Sequence, residues 1–217
     1  VRIDAGPNAY LPKEELWDYL DEFSDNALEF LRAEDYVPDV IHSHYADAGY
    51  ASTRLAAQLG APLVHTGHSL GRVKRRRLLA SGLGSSEIET RYNITRRIEA
   101  EEDTLTVAER VITSTHQEIE EQYELYDHYQ PGGMRVIPPG VDLANFTPAT
   151  GEDESSTAMA TELRRFLHQP EKPIILALAR PDPRKNLNTL ITAYGESAQL
   201  QSLANLLIVA GNRDDIE

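Results

Sequence analysis

Apolar positions recur along the chain in two rhythms: short continuous runs, and longer stretches where they return every three or four residues. Residues 14–31 place Leu16, Leu20, Phe23, Ala27 and Leu31 at helical spacing with acids between them, which predicts an amphipathic helix covering a sheet. Residues 38–43 (PDVIHS) read as a strand and residues 48–59 as the helix after it, stopped by Gly60, with a loop across 42–49. Pro62, Leu63 and Val64 predict a second, buried strand, and residues 65–71 carry the polar, glycine-punctuated turn that ends it. A polar connection at 80–87 leads to one long charged helix over 88–108. Residues 110–114 (RVITS) form the next strand, 115–125 a helix capped by Ser114 or Thr115, and 134–137 a strand closed by Pro138, Pro139 and Gly140. Strand and helix alternate throughout, the pattern of a parallel, doubly wound α/β sheet.

The rhythm lapses at residues 148–157, a Pro, Gly, Ser and acid-rich stretch, so a domain boundary is expected there. Residues 1–147 then form a first domain and 148–170 a linker with a short helix at 158–168, while 171–217 begin a second domain. That second domain shows a strand at 173–179 (PIILALA), a helix at 188–194 and a strand at 204–210 (ANLLIVA). One β-α-β unit cannot bury both faces of its sheet, so the second domain is expected to be incomplete in this chain.

Composition narrows the function classes. A hydrophobic content of 41% in 217 residues is ample for a packed core. No run of about 18 apolar residues is present, residues 1–4 do not read as a signal peptide, and without cysteine there is neither a disulfide framework nor a thiolate metal site. A cytoplasmic address, with no membrane and no nucleic-acid partner, is the expectation. A net charge of −14 lacks the broad basic face that nucleic acid requires.

Against that acidic balance two cationic stretches stand out. Arg72, Lys74, Arg75, Arg76 and Arg77 follow the turn at 65–71, where ligands of open α/β sheets bind; they read as an anion site or as a solvated basic turn. Residues 179–186 (ARPDPRKN) join a buried strand to a helix start. There Arg180, Arg184 and Lys185 add full charges to unsatisfied N–H groups, a place to hold a diphosphate. Arg96 and Arg97 sit on the charged helix near Glu99, Glu101 and Glu102, and intrahelical ion pairs account for the acids. His42 with His44 lacks the carboxylate and third ligand of a metal site, and neither a nucleophile elbow nor a phosphate-loop motif is found.

Seven segments taken together carry a resemblance: HYADAG (44–49), TGHSLGR (66–72), RRIEAEE (96–102), VITSTHQEI (111–119), VIPPGVD (136–142), LARPDPRKN (178–186) and GNRDD (211–215). They resemble the sucrose-phosphate synthases, in that family's order. The resemblance implies a GT-B fold of two Rossmann-like domains, acceptor site in the first and nucleotide-sugar site in the second. It implies transfer of glucose from UDP-glucose to fructose 6-phosphate with retention, giving sucrose 6-phosphate and UDP. His68 then falls at the transfer point. Lys74 and Arg97 match the acceptor-phosphate positions, with Arg96 beside them. Asp47 and Gly49 lie on the loop lining the acceptor pocket, and Arg180 with Lys185 faces the donor diphosphate. No tightly bound cofactor is implied; Mg2+ is compatible but required by no motif, and a sucrose-phosphate phosphatase is a candidate partner. The family's glycine-rich acceptor loop is expected before Val1 and its paired-glutamate motif after Glu217, so the resemblance implies that both domains are incomplete here and that the 217-residue chain alone is inactive. Sucrose synthase, mannosylfructose-phosphate synthase and a truncated sugar-phosphate binding module stay open as alternatives. The first of these has no need of a cationic acceptor site.

Overall fold

Four short parallel strands, β1 (Ile41–His44), β2 (Leu63–Thr66), β3 (Arg110–Thr113) and β4 (Met134–Val136), build one sheet in sequential order. Their register pairs Ile41 with Leu63, His44 with Thr66, His65 with Val111 and Val111 with Met134. These observations come from a computed structural model, which describes residues 1–147 and 158–211. The chain divides into two units, Val1–Val141 and Asp142–Glu217. The expected linker at 148–157 and most of the GNRDD segment lie outside the described residues.

The expected parallel α/β alternation is the one adopted, with local corrections. A single 3-10 turn (Leu16–Tyr19) precedes α1 (Leu20–Ala33), whose Ala27 and Leu28 pack with Leu55. The loop expected across 42–49 does not form. β1 passes directly into α2 (Tyr45–Leu59) through Tyr45 at φ 69, so Asp47 and Gly49 lie on the first turns of a helix. β2 runs two residues further than the apolar run suggests, because His65 and Thr66 are buried rather than in a turn.

The basic run is helical as well: α3 (Gly71–Ala80) buries Gly71 and Val73 and exposes Arg75, Arg76 and Arg77, which answer to the solvated reading. The expected long helix is two, α4 (Ser85–Tyr92) and α5 (Ile94–Val107), broken at Asn93, whose φ of 45 supplies the left-handed turn. After β3, Thr115 Oγ1 accepts the Glu118 N–H at 3.2 Å while the Glu118 carboxylate accepts the Ser114 N–H at 3.1 Å, a reciprocal cap. The stretch it starts widens into a π-helical turn (Glu118–Gln122) and closes as a 3-10 turn (Tyr123–Leu125). The main core lies where α3 and α5 meet β3 and β4: Leu70, Val73, Leu105, Val111, Tyr123, Tyr126 and Met134 are buried together.

In the second unit, β5 (Ile174–Leu178) pairs in parallel with β6 (Asn205–Val209), with α7 (Leu187–Gly195) and α8 (Ala198–Leu203) between them. α6 (Ala158–Arg164) precedes β5 and is shorter than the apolar pattern suggests.

Candidate functional site

The residues that resemble an acceptor site gather at the carboxyl ends of β1 and β2, where loops leave a parallel sheet. An open pocket there is lined by Lys13, Glu14, Trp17, Tyr45, Ala46, Asp47, Ser69, Lys74, Tyr92 and Arg97. Its cations are already engaged. Lys74 Nζ lies 3.9 Å from Glu14 Oε1 and 3.9 Å from the Tyr92 ring centre. Burial, eased by Glu14 and reinforced by Arg97, Lys13 and Arg91, holds the Lys74 ammonium below its ordinary pKa, and an anion placed beside it would oppose that shift. Asp47 and Glu14 supply the opposite sign and can accept hydroxyl protons.

Arg97 and Arg96 are adjacent on α5 and therefore point apart. Arg97 donates to Glu101 at 3.0 Å and to the Ser69 carbonyl, and its edge lines the pocket. Arg96 turns to Asp18 and the Trp17 carbonyl, both at 2.8 Å, and does not line the pocket; it braces Trp17. Gly49 does not line it either. A Cβ there would stand 2.7 Å from Thr104 Oγ1 and 3.2 Å from His65 Cε1, so the glycine lets α2 approach α5 and the end of β2.

The turn after β2 is fastened from beneath by acids that read in the sequence as ion pairs within their own helix. Glu101, 3% exposed, accepts the Gly71 N–H at 2.8 Å, the Arg97 guanidinium and the Tyr126 hydroxyl. Burial pushes its carboxyl up, against the pull of Arg97, Tyr126 and the Gly71 amide. A Cβ at Gly71 would sit 2.7 Å from the same carboxylate, so residue 71 must be glycine for this contact. Glu102 receives Arg72 at 2.6 Å and the N–H groups of Asp127 and His128 at 3.0 and 3.1 Å. Those contacts overcome burial and hold its carboxyl below the ordinary range. Tyr123 accepts the Gly67 N–H at 3.2 Å. Glu101, Glu102, Tyr123 and Tyr126 thus position the loop, and only the RRIEAEE segment marked two of them in advance.

His68 stands at the loop's crest with φ 55, a left-handed conformation unusual for a residue with a side chain. Its Nε2 lies 2.8 Å from His44 Nδ1, and the Tyr45 ring centre is 4.8 Å away. Burial, then His44, lowers the His68 pKa while Glu118 opposes, favouring the neutral ring. Below it His65 is buried, bonded through Nδ1 to Ser43 Oγ at 2.8 Å, and brought down to about 4 mainly by burial. Among the described residues no cluster of histidine and carboxylate groups could hold a metal ion.

In the second unit, Asp182 caps the turn Pro183–Lys185 by accepting the Arg184 N–H at 2.9 Å and also binds the Arg184 guanidinium. Arg184 is thereby engaged. Arg180 and Lys185 are exposed, and neither has an ion-pair partner among the described residues. Asn186, at φ 52, turns the chain into α7.

The resemblance read from the motifs extends along the whole chain. A probable sucrose-phosphate synthase of Solanum tuberosum is 43% identical over an alignment covering 100% of this chain and 25% of the potato protein. The solved sucrose-phosphate synthase of Thermosynechococcus elongatus matches with a TM-score of 0.70 at 28% identity, covering 100% of this chain and 48% of that one. The catalytic domain of Arabidopsis thaliana starch synthase IV shares the GT-B fold, with a TM-score of 0.60 at 17% identity over 93% of this chain and 48% of its own. The chain spans about a quarter of the length of the curated relatives it matches. No helix among the described residues is long and apolar enough to cross a membrane. The family model for Glycosyltransferase Family 4 matches residues 1–145, and the chain belongs to that family.

Proposed function

We propose that the full-length protein carrying this chain moves a glucosyl group from UDP-glucose to fructose 6-phosphate with retention, giving sucrose 6-phosphate and UDP. The observation that carries this reading is the cationic pocket at the ends of β1 and β2, where Lys13, Lys74 and Arg97 gather in a chain of net charge −14. A sugar phosphate needs charge-assisted partners of this kind; an unphosphorylated acceptor does not. Lys74 and Arg97 take the phosphate, and Asp47 accepts a sugar hydroxyl. His68, kept neutral, hydrogen-bonds the glucosyl hydroxyls. Arg180 and Lys185 neutralise the donor diphosphate as charge grows on it. The bond from C1 to the diphosphate breaks while the acceptor oxygen approaches the same face, and the departing phosphate oxygen takes the acceptor's proton. Resemblance to the family supports each assignment. The reaction is cytoplasmic, and a sucrose-phosphate phosphatase is the fitting consumer of its product.

The test is Lys74→Ala in the full-length protein, with Arg97→Gln beside it so that Glu101 keeps a hydrogen-bond donor. Losing a charge-assisted contact costs about 1.5 to 3 kcal/mol, so KM for fructose 6-phosphate should rise roughly ten- to a hundredfold while that for UDP-glucose changes little. Equal changes for both substrates would remove the phosphate assignment.

A further inference from the structure

The strongest feature the proposed reaction leaves unused is the run of imidazoles across the ends of β1 and β2. His44 is the last residue of β1, paired in register with Thr66, the last of β2. The chain beyond Thr66 turns back through His68, which brings His68 Nε2 to 2.8 Å from His44 Nδ1. The two rings lie 18° from parallel with centres 5.1 Å apart. His44 is itself held: the His42 ring is 4.3 Å away, and His42 Nε2 is fixed by Thr66 Oγ1 at 2.8 Å. Tyr45 closes the other side of His68. His68 Nδ1 has no hydrogen-bond partner among the described residues, so it is the nitrogen left free to bond a ligand.

A hydrogen bond between two imidazole nitrogens needs one N–H and one lone pair. The pair therefore shares a single proton across that contact, and a second would set two N–H groups against each other. The tautomer of His44 decides whether the outer nitrogen of His68 donates or accepts. We infer that His44 is a positioning residue for His68, fixing the orientation and tautomer of its ring and keeping it uncharged. This rests on the proposed role of His68 at the sugar, but the coupling between the rings can be measured without it.

Two variants separate the bond from the bulk. His44→Asn puts amide atoms near the position of Nδ1, whereas His44→Phe keeps a ring without the bond. Turnover with UDP-glucose and fructose 6-phosphate should fall roughly ten- to a hundredfold in His44→Phe, the scale of a misplaced reacting group, with KM values changed less than about threefold. His44→Asn should recover most of that loss. The acid limb of the rate profile should move to higher pH in His44→Phe, because removing His44 removes one of the influences that lower the His68 pKa. The other groups near His68, namely His42, His65, Tyr45, Glu118 and, over the Tyr45 ring, Lys13, are unchanged in both variants. Nitrogen-15 NMR of the imidazoles gives the second readout: His68 should titrate at higher pH and lose its fixed tautomer in His44→Phe only. Equal damage from the two substitutions, or an unmoved His68 titration, overturns the inference. If the wild type forms no sucrose 6-phosphate, the functional reading fails, and the NMR comparison alone then decides for or against the coupling of the rings.

Discussion

Glu101 is the group on which the loop after β2 hangs, and replacing it gives a graded test. Glu101→Ala deletes the acceptor for the Gly71 N–H, the Tyr126 hydroxyl and the Arg97 Nε, all in a site where the carboxylate is 3% exposed. Breaking a buried pair by removing one partner costs about 3 to 5 kcal/mol, since the other is left uncompensated. Glu101→Gln keeps the volume. Its carbonyl can occupy the place of Oε1, which receives both Arg97 Nε at 3.0 Å and Gly71 N at 3.1 Å, while its NH2, in the place of Oε2, faces the Tyr126 oxygen and gives up the 2.8 Å contact from the Gly71 N–H. That exchange of charged for neutral hydrogen bonds should cost about 1 to 2 kcal/mol, because burial of the carboxylate is relieved at the same time. Urea unfolding of the full-length protein, followed by a probe in the first unit, measures the order wild type, Gln, Ala. Hydrogen exchange at the Gly71 amide should quicken in Glu101→Ala and less so in Glu101→Gln, which keeps the Oε1 contact. If the alanine variant is within about 0.5 kcal/mol of wild type, or if glutamine is as harmful as alanine, the loop is not held through this carboxylate as described.

Gly49→Ala should destabilise the first unit by about 1 to 3 kcal/mol despite alanine's better helix propensity, since the new methyl meets Thr104 Oγ1 at 2.7 Å. Adding Thr104→Ala should recover much of the loss in a double-mutant cycle. His65, with a folded pKa of about 4 against 6.5 unfolded, stabilises the fold fully above pH 6.5 and loses that contribution as pH falls toward 4. The loss is about 3 kcal/mol, so His65→Gln should flatten the change in urea midpoint between pH 7 and pH 4.5. Lys185→Ala should lower turnover as well as donor affinity, since in the proposed role its charge acts on the leaving diphosphate; an effect confined to the acceptor's KM would remove that role.

The strands were legible because a buried strand shows a short apolar run between breakers, Leu63 and Val64 in β2 and Val111 and Ile112 in β3, although the polar end of β2, His65 and Thr66, read as turn. α3 was not, since Gly71–Ala80 spends three of its ten positions on exposed arginines and buries only Gly71 and Val73, too little for a helical period to show. The break at Asn93 was hidden because the apolar rhythm runs through it, and a single left-handed residue leaves no mark on that rhythm. Lys74 and Arg97 were named from the resemblance, and both line the pocket. Glu101 and Glu102 were read as ion pairs within their helix; one pair, Glu101 with Arg97, does form. Their other partners lie 25 to 30 residues away on α3 and after β3, which no local pattern of charges reveals.

Acceptor selectivity tests the functional account most directly. The full-length protein is incubated with UDP-glucose and either fructose 6-phosphate or fructose, and the products are identified by mass and by anomeric configuration. The account predicts sucrose 6-phosphate with retained configuration, and kcat/KM for fructose 6-phosphate above that for fructose by at least about tenfold, the contribution of one charge-assisted contact. Equal use of plain fructose, or a disaccharide phosphate formed only from another nucleotide sugar, would contradict it.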